Sequence, residues 1–542
     1  MASVVVALVA VVVGTACSSD RPTGRDTLVL AYGSEPTVLD GARTADVSST
    51  RVVSQIFETL VRHEPGGSGL VPGLARSWSP SADSTGWTFQ LQKGVRFHDA
   101  TPFDGAAVCA NFDRWYHAKG VLQTVPFSGS WRRTFEGFAT QDVADAPATS
   151  LFGSCAAPAA DEVVIHLTKP FPGLPAALAG WGFSMASPDA VVRYEADKVS
   201  GTPPTFEGTF GSQHPVGTGP FRFESWTRGD RLVLVRNDDY WGDKPSLRRI
   251  IFRAIADGAA RRQALESGEI DGYEPVDPVD AAALQAAGAQ VVERQPLNLG
   301  FLGFNQAKPP LENLQVRQAI AHALNRAAVV RAKYPPDTVE AREFQPPSVF
   351  GYADDATAYG YDPDLARRLL AESGVTDPTL EFWYPTNITL PDLPDPLGIF
   401  QAYKADLEAV GFTVVGHPAP WMPDYVRAVT TGGASMYFSS RYGDIDPDYF
   451  LGPPFRRASP AWGFDAPELF ALVSSARYEP DHAKRVAAYQ QANRMLMELL
   501  PGVPLVHVRP QVVMAAGVHG YRPDPVGPIE SLASVTLPAG PK

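Results

Sequence analysis

A βαβ pattern in the second half of the chain is the feature that most restricts its fold. Residues 380–384 have the pattern of a strand, residues 400–410 that of a helix ending at Gly411, and residues 412–415 that of a second strand. This order of elements is typical of α/β proteins, in which helices cover a largely parallel sheet. We therefore predict an α/β fold.

A polar loop follows the next predicted strand. Residues 435–438 form a short apolar run, and Gly443 and Pro447 predict a loop directly after it. Tyr442 and Asp444 belong to this loop, and ligands of open α/β sheets bind outside the carboxyl ends of the strands. A carboxylate beside an aromatic ring suits a ligand ammonium group. Taken alone, however, the stretch is more typical of a solvated acidic turn.

Length, charge and motif content exclude several classes of protein. A chain of 542 residues exceeds the roughly 250–300 at which one core stops growing, so two or more domains are expected. The net charge of −13 is spread without long runs, which argues against nucleic acid or an anionic membrane surface as partners. The sequence contains no HExxH, CxxC, GxSxG or nucleotide-binding glycine loop. We predict no catalytic residue, metal site or cofactor, and a protein that is not an enzyme.

The N-terminus has the pattern of an export signal. Residues 4–13 are an unbroken apolar run, too short for the roughly 20 residues that span a bilayer but suited to a signal-peptide core. The small residues before Cys17 resemble a lipobox, which implies a signal peptide over residues 1–16, a lipid anchor on the sulfur of Cys17 and a linker over residues 17–26. A plain secretory signal is the alternative.

Cys109 and Cys155 are the cysteines outside this N-terminal segment. Disulfides persist in exported proteins, so an exported chain favours a bond between the two. Two free, buried thiols are the alternative.

Several ordered motifs carry a family resemblance. These are "IFETLV" at residues 56–61, "LVPGLARSW" at 70–78, "WTFQLQKGVRFHDATPFDGAAV" at 87–108 and "VRQAIAHALNR" at 316–326. Together they resemble family 5 of the extracytoplasmic solute-binding proteins, the peptide and nickel receptors of ABC importers. The resemblance implies a two-lobed periplasmic-binding-protein fold of the Venus-flytrap type, cluster C, with a subdomain inserted in lobe one.

The same resemblance divides the chain into parts. Lobe one would comprise residues 27–58, 209–296 and 502–542, the inserted subdomain residues 59–208, and lobe two residues 297–501. Pro296 and Pro501 fit the crossings between the lobes, because prolines end elements. A ligand in the cleft would contact both lobes and favour the closed state that a permease recognises.

The loop after residue 438 also matches the family's "W-x-[GA]-D" loop, whose aspartate holds a peptide amino terminus. The matching residues here are Arg441, Tyr442, Gly443 and Asp444. The resemblance implies that Asp444 binds a ligand amine. Arg441 stands where the family has tryptophan, and two expectations remain open: it pairs with Asp444, or it contacts a ligand carboxylate.

Further ligand contacts are expected from both lobes. Ser34 and Glu35 resemble the place where family members pair with the ligand backbone. Trp383 and Trp421 are candidate rings of a side-chain pocket, with burial in the core as the alternative.

The resemblance finally implies partners and location. The expected ligand is a small peptide, and the expected protein partner is the transmembrane part of an ABC permease. The chain would be a monomer on the outer face of the cell membrane, attached through Cys17 alone. The alternatives are a non-peptide ligand (an oligosaccharide, a metal chelate, an opine or haem), or a sensor that does not transport.

Overall fold

The computed structural model describes residues 26–44, 46–67, 69–524, 526 and 531–538. The predicted signal peptide, Cys17 and nearly all of the predicted linker lie outside the described residues. Within those residues, no helix combines the length and the apolar character that crossing a membrane requires.

Strands and helices alternate along the described chain. The strands are Thr27–Tyr32 (β1), Val61–His63 (β2), Leu70–Pro72 (β3), Ala75–Pro80 (β4), Gly86–Leu91 (β5), Phe152–Ala159 (β6), Glu162–Leu167 (β7), Val199–Ser200 (β8), Thr205–Phe206 (β9), Phe221–Thr227 (β10), Arg231–Arg236 (β11), Arg249–Ala254 (β12), Gly272–Glu274 (β13), Gln290–Glu293 (β14), Asn298–Phe304 (β15), Val339–Glu340 (β16), Thr379–Thr386 (β17), Thr413–Pro420 (β18), Met436–Tyr442 (β19), Gly502–His507 (β20) and Gln511–Met514 (β21). The helices are Val47–Ile56 (α1), Gly105–Tyr116 (α2), Val125–Phe135 (α3), Leu174–Leu178 (α4), Pro188–Arg193 (α5), Phe210–Gln213 (α6), Gly258–Glu266 (α7), Pro278–Ala286 (α8), Leu314–Ala323 (α9), Arg326–Lys333 (α10), Pro363–Glu372 (α11), Pro396–Ala409 (α12), Val426–Thr430 (α13), Pro447–Phe455 (α14), Pro467–Tyr478 (α15) and His482–Leu499 (α16).

Lobe one is built on a seven-stranded sheet with the order β10-β11-β12-β1-β13-β21-β14. Its central strand, β1, runs parallel to both of its neighbours, β12 and β13. Leu28 and Leu30 of β1 are buried with Val52 and Ile56 of α1, so the helix covers the sheet through an apolar face.

Lobe two is built on a six-stranded sheet with the order β16-β20-β15-β19-β17-β18. The predicted βαβ unit is confirmed here, because β17 pairs in parallel with β18 and α12 connects them. Asp395 caps α12 by accepting from the amide of Gly398 at 2.9 Å, which fixes where the helix begins.

The return crossing lies later in the chain than predicted. The sequence predicts a crossing at Pro501 and places residues 502–542 in lobe one, but β20 pairs with β15 and β16 in the sheet of lobe two. Glycines explain the pairing: a side chain on Gly502 would come within 2.3 Å of the Leu302 carbonyl oxygen, so only glycine allows this approach. The chain returns between β20 and β21, and the Arg294 amide of the first crossing donates to the Pro510 carbonyl at 2.9 Å.

The inserted subdomain contains a four-stranded sheet, β4-β5-β7-β6, with α2 packed on it. Asp104 caps α2 by accepting from Ala107 at 2.9 Å, as its position before the helix suggests. Cys109 of α2 and Cys155 of β6 form a disulfide, which confirms the predicted pair.

We expect this disulfide to stabilise the protein measurably. The two cysteines are 46 residues apart, and closing a loop of that length contributes about 4 kcal/mol in the chain-entropy model. Replacing both with alanine should lower the free energy of unfolding in urea by about that amount. The control is the double variant with added reductant. If the reductant lowers the free energy of unfolding of the double variant as much as that of the wild type, the bond has no stabilising role.

Candidate ligand-binding site

The predicted binding loop is shorter than the sequence suggests. Strand β19 continues to Tyr442 instead of ending at residue 438, and α14 already begins at Pro447. Asp446 caps this helix by accepting from the amide of Asp448 at 2.9 Å, and proline suits the first helical position because it needs no amide donor there. The loop therefore consists of residues 443–446.

Asp446 and Asp448 are structural acids rather than exposed loop acids. Arg485 donates to both oxygens of Asp446 at 2.8 Å, and Arg477 donates to the carboxylate of Asp448. Both carboxylates are buried. The neighbouring guanidinium of Arg477 lowers the pKa of Asp448 against the opposing effect of burial. Of the acids that follow β19, these two therefore form ion pairs with arginines of lobe two.

Gly443 follows β19 at a point where the surrounding atoms approach the backbone closely. Its amide donates to the Leu297 carbonyl at 2.7 Å, and an added side chain would come within 2.3 Å of the ring of Phe450. Any residue larger than glycine would collide here. This close approach sets the position of the next residue, Asp444.

Asp444 faces a histidine outside lobe two. Its Oδ1 accepts from the amide of Ile445 at 2.6 Å and lies 3.9 Å from Nε2 of His63 on β2. That separation is too long for a hydrogen bond, so the pair interacts through charge. The Asp444 side chain is 15% exposed, which places the carboxylate at a partly buried contact between β2 and lobe two.

His63 is a site residue that the sequence reasoning missed. Its Nε2 is buried without a hydrogen-bond partner among the described residues. Burial lowers its pKa, but the carboxylates of Asp444 and Asp524 outweigh burial, so the pKa of His63 lies above its usual value. No local pattern around residue 63 indicates this role, because the contact joins residues almost four hundred positions apart.

Arg441 does not pair with Asp444. No ion pair joins these two described side chains; the charge interactions of Arg441 are with Tyr449, Arg133 and Tyr437. Burial and the positive charge of Arg133 lower the pKa of Arg441. Of the two expectations for Arg441, the structure therefore excludes pairing with Asp444.

Tyr442 points to the other face of β19. Its hydroxyl donates to the carboxylate of Asp392, which is buried in lobe two. Burial raises the pKa of Asp392 to about 7. Tyr442 thus fixes an internal loop of lobe two and not the space beside Asp444.

Ser34 and Glu35 make their contacts inside lobe one. Glu35 accepts from the indole nitrogen of Trp226 at 2.8 Å and from the amide of Gly229 at 3.1 Å. The hydroxyls of Ser34 and Ser48 are 2.7 Å apart. The Glu35 carboxylate therefore holds the hairpin of β10 and β11, and its role toward a ligand stays a prediction.

The two candidate pocket rings lie together but away from Asp444. Trp383 stacks on His417 and Trp421 on Tyr425, with ring centroids 4.9 Å and 5.8 Å apart. Both tryptophans pack partly buried against a small apolar cluster that includes Tyr437. Trp383 pairs with Tyr437, which lies four residues before Arg441, or roughly 13 Å along the strand.

A cavity of about 90 Å³ lies beside His63. Its lining includes Glu58, Trp181, Ser184 and Asp524. Burial raises the pKa of Glu58, although Trp241, Tyr240 and Thr218 donate to its carboxylate. The indole nitrogen of Trp181 and the hydroxyl of Ser184 are buried without a hydrogen-bond partner among the described residues.

The chain forms two lobes that are joined by two adjacent crossings, and charged groups from both sides meet between them. This arrangement is that of a two-lobed binding protein. Residues 69–461 match the family described as bacterial extracellular solute-binding proteins, family 5. The chain belongs to this family, and the two-lobed α/β fold predicted from its motifs is confirmed. Its members are extracytoplasmic receptors that bind solutes, so the chain is not an enzyme.

Three known proteins illustrate the similarity. The dipeptide-binding protein of Escherichia coli K12 is 28% identical over 509 residues, covering 91% of each chain. Heme-binding protein A of Haemophilus influenzae is 26% identical and covers 95% of this chain and 93% of its own. A periplasmic binding protein of Helicobacter pylori, solved with the peptide STSA, has a TM-score of 0.76 at 25% identity, covering 94% of this chain and 98% of its own.

We expect the contact between His63 and Asp444 to depend on pH. Because the folded pKa of His63 is raised, the stabilisation is full below its unfolded value of about 6.5 and is lost as the pH rises through the folded pKa. Urea unfolding between pH 5.5 and 8.5 should show that His63→Gln costs about 1 kcal/mol at the acid end and less at the alkaline end. The exposed His166→Gln serves as the control. A cost that stays constant across this range would contradict the charged pair.

Proposed function

We propose that this chain is the substrate-binding lipoprotein of an ABC importer and captures short peptides between its lobes. The carboxylate of Asp444 carries the proposal, because it lies just after β19 and faces His63 on the other side of the cleft. Within the described residues its nearest cationic partner is His63 at 3.9 Å, which leaves the carboxylate able to accept from a ligand ammonium group. The names of the E. coli and H. pylori proteins, a dipeptide-binding protein and one bound to a peptide, support the choice of ligand.

Capture would act by closing the lobes. A ligand that touches both sides stabilises the closed arrangement in proportion to its difference in affinity for the two states. The hinge would be residues 294–297 and 508–510, where the two crossings lie side by side. The transmembrane subunits of the permease would then recognise the closed form and receive the peptide.

The N-terminal motif supports an anchor. Cleavage before Cys17 and acylation of its sulfur would hold a monomeric receptor on the outer face of the cell membrane. Palmitate labelling of the expressed protein, with Cys17→Ser as the control, tests this part. Equal labelling of the variant would refute it.

Haem is the second candidate ligand, because the H. influenzae relative is named a heme-binding protein. Mass spectrometry of the small molecules released from the natively purified protein distinguishes the two. Peptides should dominate the released material. Recovery of haem, or of another non-peptide solute, would replace the proposed ligand.

The amine-binding role of Asp444 predicts the effect of a single substitution. Asp444→Asn should weaken binding of a short peptide by at least about 1.5 kcal/mol, the lower range for a hydrogen bond to a charged group. Calorimetric titration measures the change. Asp424→Asn, at an exposed position of lobe two, should bind as the wild type does. Unchanged affinity of Asp444→Asn, or equal binding of the N-acetylated peptide by the wild type, would exclude the role.

A further inference from the structure

A buried histidine from outside lobe two faces the carboxylate that the proposed function assigns to the ligand amine. Nε2 of His63 lies 3.9 Å from Oδ1 of Asp444, and the two side chains are 1% and 15% exposed. His63 belongs to β2, whose Val61 is part of the core of the inserted subdomain, whereas Asp444 follows β19 of lobe two. The contact therefore joins the two sides of the cleft through the chain's own residues.

The contact leaves hydrogen-bonding capacity on both side chains. At 3.9 Å the imidazole and the carboxylate interact through charge, since a hydrogen bond requires about 2.7–3.2 Å. Nε2 of His63 is buried with no hydrogen-bond partner in the described part of the chain. In the same part of the chain, Oδ1 of Asp444 accepts from the amide of Ile445 at 2.6 Å, and no hydrogen bond to Oδ2 is present. The carboxylate is therefore able to accept from a cation that approaches more closely than His63 does.

The groups around His63 favour its charged form. The carboxylates of Asp444 and Asp524 raise the pKa of His63 above its usual value, against the lowering effect of burial. The other ionisable groups that line the cavity beside it are Glu58, Arg62 and Arg522. Burial raises the pKa of Glu58, so this carboxyl adds less negative charge than an exposed one. The imidazole of His63 is therefore positively charged at mildly acidic pH, with Asp444 as its nearest counter-charge.

We propose that His63 is an internal competitor of the ligand amine: its imidazolium neutralises Asp444 in the free receptor, and the ammonium group of a peptide displaces it. The inference rests on the proposed function and adds a residue that regulates the same site. An ammonium group that donates to the carboxylate at about 2.8 Å interacts more strongly than an imidazolium at 3.9 Å. The peptide therefore replaces a weak internal charge contact with a charge-assisted hydrogen bond.

This exchange releases a proton. Once the ammonium group pairs with Asp444, the imidazolium of His63 loses its nearest counter-charge and gains a positive neighbour. Burial then dominates and lowers the pKa of His63, because its side chain is almost entirely shielded from water. His63 gives its proton to the buffer, and one positive charge on the ligand replaces one on the imidazole. Binding is therefore tighter at neutral than at acidic pH, since protons compete with the peptide.

Calorimetric titration of a dipeptide or tripeptide at pH 5.5 and 7.0 tests the competition. Both values lie below about 7.7, where the amine of the peptide itself begins to lose its charge. The wild type should bind at least about fivefold more weakly at pH 5.5, and at pH 6.0 it should release more than about half a proton per peptide. The difference in heat between phosphate and MES buffers measures that release.

Two histidine variants isolate the group responsible. His63→Gln should bind more tightly than the wild type at pH 5.5, change its affinity by less than about twofold between the two pH values, and release no proton. His166→Gln, at an exposed position of β7, should follow the wild type. This comparison is needed because burial also raises the pKa of Asp392, to about 7, so a second group titrates in the same range.

The outcomes separate this inference from the proposed function. If peptides bind equally well at both pH values, or if His63→Gln keeps the pH dependence of the wild type, the competition is wrong and the function stands. If no peptide binds at either pH, the function is wrong, and small-angle scattering of the receptor alone decides about the contact. The radius of gyration should then be smaller at pH 5.5 than at pH 8.5 in the wild type but not in His63→Gln, and an equal radius would overturn the inference. If circular dichroism shows that His63→Gln is unfolded, proton release by the wild type decides.

Discussion

The guanidinium of Arg477 joins lobe two to the inserted subdomain, and the geometry of the cleft depends on it. It is 1% exposed and donates to the carboxylate of Asp448, to the Thr134 carbonyl at 2.6 Å and to the Arg133 carbonyl at 3.2 Å. These carbonyls end helix α3 and have no partner within the helix. A cation at this end also suits the helix dipole. One side chain thus satisfies a buried acid and fixes a helix end of the neighbouring subdomain.

This contact also positions Arg133. The backbone carbonyl of Arg133 is held by Arg477, and its side chain extends from there to Tyr449. Asp448 lies one residue before Tyr449, so the ion pair of Arg477 and Asp448 fixes both sides of the contact between Arg133 and Tyr449. The acids after β19 divide into two roles for this reason. Asp446 and Asp448 tie lobe two together and hold the subdomain against it, and Asp444 alone faces the cleft.

Local patterns predict the elements but not the contacts between them. The βαβ unit and the strand before Arg441 follow from the spacing of apolar residues, and the disulfide follows from the export signal. The sheet that β20 joins does not, because a fully buried strand fits either lobe and glycine contacts with Leu302 decide the pairing. His63 and Arg133 are not identified from the sequence for the same reason, because each acquires its role only through a contact with lobe two. The role of Asp446 as a helix cap, in contrast, depends on its immediate neighbour, because Pro447 is typical of the first helical position.

The side chains of Arg441 and Asp444 do not form an ion pair. If the two side chains paired, each would neutralise the other and the cleft would have no charge to offer. The carboxylate of Asp444 instead lies 3.9 Å from His63, which comes from outside lobe two. A partly buried charge without a strong partner costs desolvation energy that only a complementary ligand offsets. On the proposed function, a peptide blocked at its amino end leaves the charge of Asp444 unpaired, so the receptor discriminates by the penalty imposed on the wrong ligand as much as by contacts with the right one.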